Sequence, residues 1–286
     1  MALLWLVTFG WAFSFSLIDV YLAAQVDGYF AVFTRVALAL ALFLPLLRRR
    51  SVPARTGLAL AGIGAVQLGI MYLFLYEAFR YLEVAELLLF TVFTPLWITL
   101  IDELASRRMH LPLQWWLAAG LAVLGAAIIR YDRVSADAVT GFLLIQAANL
   151  CFAAGQVFYR RLPLGSALQQ AQVMAFFFLG ASLASGVGFL LFGDAARLPQ
   201  TAQQWLVLAW LGLGASGLGY YAWNIGIRRV NTAEVATMNN MLIPAGILVN
   251  FIFWNRDVDW ARLLAGGSVI ALSVWLAGRP ARRRPS

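Results

Sequence analysis

Lysine is absent from this sequence, cysteine and histidine occur once each, and only 12% of the residues are charged. Each shortage removes a class of function. A lone cysteine, Cys151, allows no disulfide within the chain, and with a single histidine, His110, it offers no Cys/His ligand set for a metal. Cys151 sits in an apolar run and reads as a small packing residue, while His110 reads as a solvated loop residue beside Arg107 and Arg108. No Ser-His-Asp arrangement and no carboxylate pair suited to acid–base work is visible, so no enzyme, catalytic residue, metal or cofactor is expected. A chain without lysine also lacks the phosphate loop of ATP-driven pumps. Soluble domains carry about 25% charged residues, and this chain falls far below that.

What is present is apolar: 62% of 286 residues. A membrane-spanning helix needs roughly 20 apolar residues, and that ruler predicts ten spans: Leu3 to Ala23, Phe30 to Leu47, Gly57 to Phe79, Val84 to Leu104, Leu111 to Arg130, Val139 to Tyr159, Leu168 to Phe192, Trp205 to Ile227, Thr232 to Trp254 and Trp260 to Gly278. The N-terminal stretch MALLWLVTFGWAF has no charged leader region or small-residue cleavage site and reads as a retained first span. The fold expected is all-α and integral to the membrane.

All 21 basic side chains are arginines, and the net charge is +8. They cluster between apolar runs, which favours a topogenic role over nucleic-acid binding. With the N-terminus in the cytoplasm, Arg48, Arg49, Arg50, Arg107, Arg108, Arg160, Arg161, Arg228, Arg229 and the tail arginines fall inside, and fewer fall outside. An even span count then puts both termini in the cytoplasm. Arg35 lies within the second span and Asp19 late in the first, so an ion pair near the outer side is expected.

The stretch GIMYLFLYEAFRYLEVAELLLFTVFTP, from Gly69 to Pro95, returns in degenerate form as GLGYYAWNIGIRRVNTAEVATMNNMLIP from Gly217. At one constant offset Gly69 falls on Gly217, Tyr72 on Tyr220, Arg80 on Arg228 and Glu86 on Glu234; Pro95 and Pro244 match after one insertion. Self-similarity of this kind marks a duplicated architecture. Residues 1–134 and 135–286 would each hold five helices. An odd number per copy turns the second copy upside down, the inverted-repeat plan of secondary transporters.

Polar residues at membrane depth usually face the bundle or a water-filled cavity. Leu68, Tyr72 and Tyr76 lie at helical spacing in the third span, and Ser216, Tyr220 and Asn224 occupy the equivalent positions of the eighth. Gln146, Asn149 and Gln156 form a third stripe. Interhelical hydrogen bonding and cavity lining both account for such stripes. Trp97 lies deep, and Tyr and Trp offer flat walls with a polar tip suited to amphipathic solutes. Pro95 and Pro244 fall inside spans, where each removes a backbone hydrogen bond and kinks the helix. Glu86 and Glu234 stand in first turns, where a carboxylate complements the helix dipole.

Ten spans, the five-plus-five duplication and the segments YEAFRYLEVAELLLFTVFTP and NIGIRRVNTAEVATMNNMLIP, with RVALALALFLPLLRRR as second helix, resemble the drug/metabolite transporter superfamily and its EamA-type members over nearly the whole chain. Within it the chain looks like YddG-type exporters of aromatic and other amino acids. The resemblance implies export of amino acids and related metabolites across the bacterial inner membrane by alternating access. A multidrug or sugar-derivative exporter of the same fold is the alternative. The cavity expected is lined by Tyr72, Tyr76, Trp97, Asn149, Gln156, Tyr220 and Asn224. The partners expected are a small-molecule substrate and lipid, with no nucleic acid, and a monomer is the working expectation.

Overall fold

The computed structural model describes residues 2–23, 25–106, 136–230 and 232–254, with isolated positions between 117 and 128 and between 260 and 275. The expected spans Leu111 to Arg130 and Trp260 to Gly278 lie largely outside the described residues. Among the described residues, seven helices are long and apolar enough to cross a membrane: α1 (Ala2–Ala23), α2 (Gly28–Leu46), α3 (Ala54–Ala78), α4 (Glu86–Ala105), α5 (Val139–Arg161), α6 (Ala167–Phe192) and α7 (Ala202–Ile227). An eighth helix, α8, runs over Thr232–Trp254. Lipid offers backbone groups no partner, so apolar runs of this length satisfy their hydrogen bonds internally as helices.

The helix starts follow from local sequence. Asp27 accepts from the Phe30 amide at 2.7 Å and caps α2, and Ser166 caps α6 through the Gln169 amide. Thr201 and Gln204 form a capping box on α7. Glu83 and Glu86 form another at the turn that opens α4, with Glu86 in the first turn. The side chain of Glu234 is outside the described residues.

A widened π segment ends α1 at Asp19–Ala23, and two more lie at matching places of the repeat: Ala65–Ile70 in α3 and Trp210–Leu218 in α7. The latter two are the stretches that precede Tyr72 and Tyr220 in the repeat. Such segments often sit at functional sites, because the extra residue per turn re-aims the side chains around it.

The contact register fixes helix directions. Along α3 and α6 the numbers rise together: Gly57 meets Phe176, Gly64 meets Phe177, Gly69 meets Ala181, and Leu73 meets Gly188. Those two helices are parallel. α2 runs against α6, because Phe43 meets Phe178 and Phe30 meets Phe189. α2 runs with α7, because Gly212 meets Leu38 and Gly217 meets Leu42. It follows that α3 and α7, which share the repeated motif, run in opposite directions. By the same reading α4 and α5 are parallel, since Phe142 packs on Phe90 and Arg161 bonds Asp102.

The α3–α6 crossing is backbone against backbone. A Cβ on Gly64 would overlap the Phe177 carbonyl, and one on Gly180 would overlap that of Ala61. Small residues allow this approach. In α4 the helix tightens to a 3-10 turn at Thr91–Phe93, immediately before Thr94 and Pro95. Proline has no N–H to offer the Thr91 carbonyl. The Thr94 hydroxyl takes that carbonyl at 2.7 Å, and the Phe90 carbonyl accepts from Asn149 Nδ2 at 2.9 Å and Gln146 Nε2 at 3.2 Å. Pro244 lies within the helix α8, and its side chain is outside the described residues.

Candidate substrate cavity

Arg35 stands about two turns into α2, on the buried face that also carries Ala31, Val32, Val36 and Ala39. It is 1% exposed. Its Nε donates to Ser216 Oγ at 2.9 Å, one terminal nitrogen to the Tyr72 hydroxyl at 2.8 Å, and the other to the Tyr76 hydroxyl at 3.3 Å. The guanidinium carbon lies 3.8 Å from the centroid of the Tyr72 ring, a cation–π contact strengthened by desolvation. The ion pair expected with Asp19 does not form. The physical reason is depth: Arg35 reaches inward to α3 and α7, and neutral hydroxyls take the three donations. A guanidinium has five N–H groups, so two remain.

Beside this cation stands an aromatic wall. Trp11 of α1 is held by its indole N–H on the Ala215 carbonyl at 2.8 Å. Its ring lies 4.9 Å from that of Tyr220 and 5.0 Å from that of Trp223. Phe152 closes the wall edge-on to both Trp11 and Tyr220. The Ala215 carbonyl belongs to the π segment of α7, as does Ser216.

Amides and hydroxyls come from the other helices. The Thr94 hydroxyl proton, held chiefly by the Thr91 carbonyl, is shared with Asn149 Oδ1 at 3.2 Å. Asn239 of α8 donates to the Val235 carbonyl at 2.9 Å and faces Gln156, which also accepts from the Trp223 indole at 3.3 Å.

These groups line a cavity of about 90 Å³. Its lining includes Trp11, Arg35, Tyr72, Asn149, Tyr220 and Asn239, and among the described residues no aspartate or glutamate. Of the seven residues expected there, Tyr72, Asn149 and Tyr220 are on the wall. Tyr76 and Gln156 stand behind it, bonded to wall residues. Trp97 bonds Gln146 at 3.0 Å, away from the lining. Asn224 is 0% exposed and is not on the wall. Sequence reasoning passed over Arg35, Trp11 and Thr94 as lining. The signal available was Arg35 itself, a basic residue inside an apolar run.

A cavity with polar corners, enclosed by apolar spanning helices, defines a multi-pass membrane transporter for a small molecule. The EamA-like transporter family model matches residues 1–131 and 139–279, and the chain belongs to that family. It is therefore a transporter rather than an enzyme. A protein of Pseudomonas aeruginosa named "Probable biotin transporter" is 50% identical, with 96% of each chain covered. The "Biotin transporter" of Salmonella typhimurium is 48% identical and that of Escherichia coli K12 47%, over 96% of this chain and 92% of theirs. A solved crystal structure shares the fold at a TM-score of 0.65, with 20% identity and 98% of both chains covered.

These relatives overturn the expected substrate, an amino acid for export, and the multidrug or sugar-derivative alternative fits them no better. The physical reason agrees. Tyr, Trp and Asn suit any amphipathic solute, so they did not discriminate. A zwitterionic amino acid brings an ammonium group that needs an anionic partner, and the lining holds no carboxylate among the described residues.

Proposed function

We propose that this chain carries biotin across the bacterial inner membrane by alternating access. The observation that carries the reading is identity of 47–50% to proteins named biotin transporters, over nearly the full length of both partners. The cavity's chemistry supports it. Biotin is a compact bicycle with a ureido group at one end and a carboxylate on an aliphatic arm. Trp11, Phe152, Tyr220 and Trp223 offer walls for the bicycle, and Thr94, Asn149 and Asn239 offer donors and acceptors for the ureido group.

The moving parts in this reading are two inverted five-helix halves, residues 1–134 and 135–286. The opposite directions of α3 and α7 support it, as does a family match in two stretches. Parallel α4 and α5 require a return crossing between them, which the expected span Leu111 to Arg130 supplies. Both termini then face the cytoplasm, and one copy of the chain forms a complete cavity. Purified chain in liposomes tests the function: saturable entry of labelled biotin supports it, and flux equal to protein-free liposomes refutes it.

A further inference from the structure

We propose that Arg35, held by Tyr72, Tyr76 and Ser216, is the receptor for the substrate's carboxylate and the residue that makes the transporter select free acids. The inference rests on the biotin reading and deepens it. Three features carry it. Arg35 lines the cavity at 1% exposure, where an uncompensated cation is costly. Its three acceptors are neutral hydroxyls, which orient the guanidinium without cancelling its charge. Among the described residues, no aspartate or glutamate shares the lining.

The two N–H groups left over form part of a planar fork, and such forks match a carboxylate's two oxygens. An arriving monoanion supplies the missing charge and exchanges its lost hydration for charge-assisted hydrogen bonds. A neutral analogue leaves the cation as it was. Stacking on Tyr72 fixes the plane of the fork, and the ties to α2, α3 and α7 place it where helices of both halves meet. Binding the anion therefore acts on the contact that the halves share.

The test uses the full chain in liposomes and in detergent. Competition against labelled biotin is measured with desthiobiotin, biotin methyl ester and biotinamide, and thermal stabilisation is measured with the same compounds. Desthiobiotin, a free acid, competes. The ester and the amide, with the ureido ring intact, are weaker by at least about tenfold, the loss expected for a hydrogen bond to a charged group. Arg35→Gln loses the preference for acid over ester, and Arg35→Lys keeps part of it. Should Arg35→Gln fail to fold, the analogue series on the unaltered chain decides alone. Equal competition by the ester overturns the carboxylate receptor and leaves biotin transport standing. A folded Arg35→Gln chain that still prefers the acid does the same. Absence of both biotin uptake and stabilisation by biotin in the unaltered chain overturns both readings.

Discussion

Tyr72 does two things for Arg35: its ring stacks under the guanidinium and its hydroxyl accepts a hydrogen bond. The two are separable. Tyr72→Phe keeps the ring and removes the acceptor, at a net cost of about 1 kcal/mol, so KM for biotin rises roughly fivefold with little change in folding. Initial rates across a concentration series check this, and an unchanged KM removes the hydroxyl from the account. Arg35 also marks the limit of what single residues disclose. Read as a string, an arginine near Phe30 and an aspartate near the end of the previous span suggest a pair at the membrane edge. The helix begins at Gly28 and turns Arg35 inward, to hydroxyls distant in sequence. A contact with Ser216, on α7, has no local signature.

At the scale of elements, the breaks in the helices build the cavity. The 3-10 turn before Pro95 releases carbonyls, and α5 answers with Asn149 and Gln146. Asn149→Leu leaves Gln146 alone on the Phe90 carbonyl and loses a bond to Thr94, a penalty of about 1–3 kcal/mol. The expected outcome is a lower melting temperature and weaker biotin flux together, read by thermal denaturation and uptake on one preparation. The α3–α6 crossing gives a sharper case. Gly64→Ala drives a methyl group into the Phe177 backbone and destabilises by about 1–3 kcal/mol. Its effect falls on melting temperature, while the acid-over-ester preference of the surviving protein stays. Most of this level was legible beforehand. Hydrophobic runs located the eight helices to within a few residues, and the proline flagged the break. The π segments were not legible, because they leave the hydropathy pattern intact.

For the whole molecule, α3 and α7 run in opposite directions, and the proposed inverted five-plus-five plan rests on that. The account predicts sidedness: in a Cys151→Ser background, single cysteines at Ser51 and Ser286 react with an impermeant reagent from one face of the membrane, and one at Gln200 from the other. Reaction of Ser286Cys from the face of Gln200 removes the ten-span plan. The proposed duplication rests on Gly69, Tyr72 and Glu86, which recur at one offset as Gly217, Tyr220 and Glu234. Substrate identity was not legible, since a wall of Tyr, Trp and Asn serves many solutes, and the decisive polar fact is an arginine with no carboxylate beside it among the described residues of the lining. The most direct measurement of the central claim is flux of labelled biotin into liposomes holding the purified chain. The account predicts saturable flux that excess unlabelled biotin abolishes and that tryptophan or threonine leaves unchanged. Flux no greater than in empty liposomes, or flux that tryptophan suppresses as well as biotin does, contradicts it.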